Sequence, residues 1–208
     1  MSLEPGEIHL WTAPLPASGE CVAEMRALLA EDELHRAARF HFEKDRDVFI
    51  LARGFLRTML ARYVDREIRF VYGSHGKPRL DGPGPCFNLS HTAGLAILGL
   101  TLENEIGVDV ERIRPIENRD AIAERYFSPS EYGQELSDEL FFQCWTRKEA
   151  YIKAVGAGLS VPLRSIDTTG WSVIDLRLPD GYAGAVAVKG GPWAMQSQEF
   201  NWPPASDR

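Results

Sequence analysis

The stretch Glu105-Ile106-Gly107-Val108-Asp109-Val110-Glu111 decides how this chain is read. β-Branched residues at 106, 108 and 110 alternate with a glycine and two carboxylates, the period-two pattern of a strand. Toward the C-terminus the sequence predicts a short helix over about 118–126. Another begins at Ser128-Pro129-Ser130-Glu131, where a serine cap, a proline at the first helical position and a glutamate form a capping box. A longer helix follows over about 138–155, stopped by Gly156 and Gly158, and then strands over 171–178 and 182–188. Toward the N-terminus lies a hairpin, 86–90 and 94–102, joined by His91-Thr92-Ala93. Before it come a glycine- and proline-rich loop over 73–85 and a half-exposed strand over 68–72. Val48, Leu51, Phe55 and Met59 mark an amphipathic helix over 45–63, and a less regular helix precedes it over about 20–40 with Ser18 or Gly19 as its cap. Helices followed by strands in each half give an α+β fold and not a doubly wound sheet. The expected division is an N-terminal lobe over 1–102, a C-terminal lobe over 103–196 and a frayed tail over 197–208.

Composition narrows the function. With 44% hydrophobic and 25% charged residues the chain is an ordinary globular protein and not a disordered one. Its longest nearly apolar run, Ala93 to Leu102, is too short to span a bilayer, and Glu4 and Glu7 stand where a signal peptide carries positive charge. Cys21, Cys86 and Cys144 are widely spaced, which suggests neither a disulfide framework nor a cysteine metal site and fits a reducing cytoplasm. A net charge of −7 is the wrong sign for a nucleic-acid partner. An anionic ligand would need a local basic patch, for which Arg36, Arg39, Arg46, Arg53, Arg57 and Lys77 are the first-half candidates.

Two segments carry possible chemistry. Asp109 and Glu111 project from one face of their strand, with Gly107 leaving space beside them, so together they can hold a hard cation such as Mg²⁺. The same spacing also describes a solvated strand face. On the helix Trp145-Thr146-Arg147-Lys148-Glu149-Ala150-Tyr151-Ile152-Lys153, Glu149 falls beside Phe142 and Trp145 at the border of the apolar face, which costs desolvation. A metal ion, a proton-transfer role or a plain i,i+4 pair with Lys153 would each compensate.

Together these segments resemble the signature of the 4'-phosphopantetheinyl transferases: a Gly-hydrophobic-Asp-x-Glu strand, then Trp-x-x-Lys-Glu-Ala-x-x-Lys on a later helix. The likeness extends to Gly76-Lys77-Pro78, Phe87-Asn88-Leu89-Ser90-His91, Phe127-Ser128-x-x-Glu131 and the stretch Gly158 to Leu163. The chain length is similar to the large, monomeric, surfactin-synthetase-activating type. The resemblance implies two similar lobes related by a pseudo-twofold axis, each a small, mainly antiparallel sheet with flanking helices. It also implies a cytoplasmic enzyme that moves the 4'-phosphopantetheine arm of coenzyme A to a serine of an apo carrier protein, with Mg²⁺, releasing adenosine 3',5'-bisphosphate. By position, Asp109, Glu111 and Glu149 would ligate the metal, Lys153 would contact phosphate and Glu149 would be the base. Lys77, Ser90, His91, Arg36, Arg53 and Lys148 would bind coenzyme A. Glu33 and Val48 depart from it, standing where relatives can carry basic residues. A Mg²⁺-dependent phosphohydrolase would use the same carboxylates, but no P-loop pattern is present, and the intact Glu149 and Lys153 argue against an inactive carrier-binding module.

Overall fold

The computed structural model describes residues 1–15, 19–132, 136–158, 163–166 and 168–202. The possible cap at Ser18, residues 159–162 of the stretch after the long helix, and residues 203–208 of the expected tail lie outside them. The elements run β1 (Glu7–Pro14), α1 (Gly19–Ala27), α2 (Glu31–Ala37), α3 (Glu43–Leu60), β2 (Phe70–Tyr72), β3 (Pro78–Leu80), β4 (Cys86–Thr92) and β5 (Leu95–Thr101). The second half continues with β6 (Ile106–Arg112), α4 (Arg119–Tyr126), α5 (Pro129–Tyr132), α6 (Asp138–Val155), a 3-10 turn at Leu163–Ser165, β7 (Trp171–Asp175), β8 (Tyr182–Lys189) and β9 (Ala194–Glu199). This is the α+β arrangement expected: one sheet in the order β4-β5-β1-β9, a second in the order β6-β8-β7, and a β2-β3 ribbon, with helices flanking them. Every pairing is antiparallel except β1 with β9. No helix among the described residues is long and apolar enough to cross a membrane.

Burial explains why β5 reads as a continuous apolar run. All seven of its residues are buried, because the strand is covered on both faces. Ala96, Leu98 and Leu100 pack with Phe55, Leu56, Met59 and Leu60 of α3. Leu95 and Ile97 pack with Ile106, Val108 and Val110 of β6 and with Val186 and Val188 of β8. The two sheets therefore share a core, and burying each such side chain contributes about 1.5–3 kcal/mol.

Three departures from the sequence reading have physical causes. The single helix expected over 20–40 is broken, because Glu33 turns back to accept the Ala30 N–H at 2.9 Å and so starts α2 afresh. β1, to which the sequence reading assigns no element, inserts between β5 and β9. Its polar His9 hydrogen-bonds the Tyr63 hydroxyl at 2.8 Å and interrupts the apolar alternation. The tail expected from residue 197 is strand as far as Glu199, in parallel register with β1, and Phe200 beyond it is buried against Phe55. Most β9 side chains are exposed, so the strand is held by main-chain bonds that leave no apolar pattern to read.

Candidate active site

The pleat of β6 turns Ile106, Val108 and Val110 toward the first sheet and Gly107, Asp109 and Glu111 toward α6. Helix α6 begins where Ser137 accepts the Leu140 N–H at 3.1 Å and ends at Gly156, whose φ of 71° is the left-handed cap anticipated from the sequence. Between those ends Ala150 and Ala154 pack on Ala185 and Ala187 of β8. Small side chains on both surfaces let the helix come close. At Gly107 the approach is closest: a Cβ there would stand 2.0 Å from the Ala150 carbonyl oxygen and 2.3 Å from the Ala154 nitrogen. The space expected beside the carboxylates is thus filled by the backbone of α6, which carries Glu149 and Lys153, one turn apart, to the carboxylate face of β6.

The other wall is β4. It is the edge of its sheet, as β6 is of the second, and side chains bridge the two edges in step. Asn88 Oδ1 accepts the Val108 N–H at 2.8 Å, Ser90 Oγ donates to Asp109 Oδ1 at 3.0 Å, and Thr92 Oγ1 stands 3.4 Å from Glu111 Oε2. Lys153 Nζ completes a triangle, 2.6 Å from Asp109 Oδ1 and 2.9 Å from Ser90 Oγ. The Asp109 side chain is only 7% exposed, and its second oxygen, Oδ2, is buried with no hydrogen-bond partner. Burial pushes the Glu149 carboxyl above its ordinary range, the Asp109 charge and, less strongly, that of Glu111 add to the effect, and Lys153 opposes it. His91 is exposed at its surface, yet protein packed around one side of the ring and, second, the Lys153 charge lower its pKa and favour the neutral imidazole. A cavity of about 230 Å³ opens here, lined by His75, Lys77, Asn88, Glu149, Lys153 and Gly158 among others.

An oxygen-only donor set with an orphaned, buried carboxylate oxygen suits a hard cation such as Mg²⁺ in kind. It is not pre-closed on one: among the described residues no three His, Cys, Asp or Glu side chains stand together closely enough to hold an ion. Glu111 meanwhile pairs with Arg114 at 3.4 Å.

The remaining sequence-selected residues are engaged elsewhere. Lys77 lines the cavity, but its ammonium is bonded to Glu105 Oε2 at 2.7 Å, the Ile106 carbonyl at 3.0 Å and the Ala154 carbonyl at 3.1 Å, tying β6 to the end of α6. Arg53 is buried, with Nε 3.2 Å from Glu33 Oε1 as an ion pair not aligned for a hydrogen bond, and it donates to the Tyr72 hydroxyl at 3.1 Å. Arg57 Nε bonds the other Glu33 oxygen at 2.6 Å. The acidic residue that departs from the family resemblance is therefore the buried counter-charge of two arginines. Arg36 lies over the Phe49 ring and lines another depression with Asp32, His35 and Arg39. Lys148 is buried and donates to the Leu163 carbonyl at 2.7 Å, with its ammonium 2.9 Å from Glu131 Oε1. Glu131 also accepts the Ser128 N–H at 2.6 Å, the reciprocal half of the expected capping box. The sequence reading gave no functional role to Thr92 or Glu105 and noted Glu33 only as a departure from the resemblance. Only Thr92 had a signal, its position two residues after Ser90 on the same strand face.

The sequence profile of the 4'-phosphopantetheinyl transferase superfamily matches residues 105–196. The chain is 36% identical to the 4'-phosphopantetheinyl transferase HetI of Nostoc sp., an alignment covering 93% of this chain and 92% of that protein. It is 32% identical to the 4'-phosphopantetheinyl transferase ffp of Bacillus subtilis, covering 72% of this chain and 70% of the relative. Against the 4'-phosphopantetheinyl transferase Sfp of Bacillus subtilis it is 29% identical, covering 81% and 79%.

Proposed function

Since the chain belongs to the 4'-phosphopantetheinyl transferase superfamily and is an enzyme that transfers the phosphopantetheine group to carrier proteins, we propose that the β4–β6–α6 junction is where it does so. In this reading the donor is coenzyme A, the acceptor is a carrier serine, Mg²⁺ is required and adenosine 3',5'-bisphosphate leaves. The observation that carries it is the buried Asp109 with its unpartnered Oδ2, bonded through Oδ1 to Ser90 of β4 and to Lys153 of α6.

Asp109, Glu111 and Glu149 are the residues that would hold the metal, which would supply charge neutralisation at the donor's pyrophosphate. Glu149 takes the proton of the incoming serine hydroxyl. The serine oxygen bonds the phosphorus of the pantetheine arm as the bond to the departing adenosine bisphosphate oxygen breaks. Lys153, the cation of the triangle, neutralises charge on the phosphate. Ser90 orients that ammonium, and His91, kept neutral, offers a hydrogen bond to the donor without adding charge. Such a reaction needs positioning and charge compensation more than covalent help, and these residues supply both.

The test incubates the protein with an apo carrier protein, coenzyme A and Mg²⁺ and follows the intact mass of the carrier. A gain of the phosphopantetheine arm is expected with the parent protein and none with Asp109→Ala. Transfer at the parental rate by a folded Asp109→Ala protein would remove the site assignment.

A further inference from the structure

The cation already present at Asp109 is an ammonium. Lys153 Nζ and Ser90 Oγ both bind Oδ1 and also bind each other, so the acceptor positions of that oxygen are filled. A divalent ion can reach Oδ1 only by displacing one of them. If it lands on the unpartnered Oδ2 instead, it stands a few ångströms from the Lys153 charge in a poorly hydrated site, where two cations repel strongly. The main chain of Lys153 is held against β6, since its carbonyl carbon lies 2.9 Å from where a Cβ on Gly107 would be, and from there its ammonium reaches Asp109 Oδ1 at 2.6 Å. Nor can the ammonium simply swing into water, because Asp109 would then be left buried and uncompensated.

We propose that Lys153 is the resident counter-cation of Asp109 and competes with the divalent ion for it, so that metal and phosphate-bearing donor bind this chain with positive coupling. This rests on the reading of Asp109 as a metal ligand and Lys153 as a phosphate contact. An arriving phosphate offers the ammonium a new anionic partner, and Asp109 passes to the metal, so each buried charge keeps a partner throughout the exchange. By linkage, the factor by which donor tightens metal binding is the factor by which metal tightens donor binding. Such a resting state fits the geometry, in which no three His, Cys, Asp or Glu side chains among the described residues stand close enough to enclose an ion.

The test titrates Mn²⁺ into the metal-free full-length protein and follows the electron paramagnetic resonance signal of the free ion. It is run with and without coenzyme A, with no carrier present, and is corrected for the Mn²⁺–coenzyme A complex measured alone. Without coenzyme A, Lys153→Met is expected to bind Mn²⁺ at least about tenfold more tightly than the parent protein. Coenzyme A should then improve Mn²⁺ affinity by a larger factor in the parent than in the variant. Equal or weaker Mn²⁺ binding by Lys153→Met, or the same coenzyme A effect in both, overturns the proposal. Should the methionine variant fail to fold, Lys153→Gln removes the charge while keeping a donor for Asp109, and the same two comparisons apply. Asp109→Asn separates the layers. If it loses Mn²⁺ while Lys153→Met gains nothing, only the competition is refuted; if it binds Mn²⁺ as the parent does, the metal-ligand reading fails first.

Discussion

Replacing Gly107 by alanine tests the geometry from which the site is built. A Cβ at 107 would meet the Ala150 carbonyl oxygen at 2.0 Å, against about 3.4 Å for ordinary contact, and both the other near atoms, Ala154 N at 2.3 Å and Lys153 C at 2.9 Å, are backbone. No side chain can rotate away, so β6 and α6 must separate by about 1.4 Å, the difference between those two distances. Overpacking of this kind costs about 1–3 kcal/mol, occasionally more. For a chain of this size that lowers the melting temperature by roughly 2–12 °C. The same displacement carries Glu149 and Lys153 away from Asp109, and a misplacement of about 1 Å can cost roughly 100-fold in rate. Differential scanning calorimetry and the initial rate of carrier modification, measured well below the melting point, read the two effects separately. A Gly107→Ala protein that melts and transfers like its parent would refute the argument that this glycine sets the distance between the acids and the lysine.

Glu149→Gln is expected to lose transfer and, in metal-free buffer, to melt above the parent at neutral pH. The fold raises the Glu149 carboxyl, so its ionised form carries a penalty that is absent below the ordinary carboxylate value near about 4.3 and sets in as pH rises through the folded value. Melting curves that differ equally at every pH would contradict this. At Glu131 burial pushes the carboxyl up, but Lys148 and Ser128 together outweigh it and hold the group below its ordinary range. Its stabilising contribution is therefore present above the unfolded value and lost as pH falls through the folded one. Glu131→Gln, which deprives buried Lys148 of its counter-charge, should cost about 1–3 kcal/mol at neutral pH with the transfer rate retained. A large rate loss at unchanged melting would instead move Glu131 into the catalytic set. For Lys77→Met a loss of about 1–3 kcal/mol is expected, since the Ile106 and Ala154 carbonyls and Glu105 lose their shared donor. A raised KM for coenzyme A with no change in melting would assign that ammonium to the ligand and not to the fold.

The sequence by itself determined what depends on neighbours along the chain. The pleat that puts Asp109 and Glu111 on one face, the 3.6-residue turn that sets Glu149 and Lys153 one above the other and the Gly156 stop are all local backbone geometry and stand in the structure as read, while of the Ser128–Glu131 capping box the glutamate half forms and the Ser128 hydroxyl donates to Glu131 instead of accepting its N–H. The α+β class followed from the order of those local elements. Only the tertiary structure decided which strand completes the first sheet, because β9 is recruited through main-chain bonds to β1 from the far end of the chain and leaves no apolar pattern behind. It also decided which cations are already bound. Lys77, Arg53, Lys148 and Lys153 are alike in sequence as positive charges near a motif. Their partners, however, come from 20 to 77 residues away in the cases of Arg53–Glu33 and Lys77–Ala154, and distance and burial alone choose among the oxygens that converge on them. That choice left Lys153 bonded to Asp109 and Ser90 where it lines the cavity.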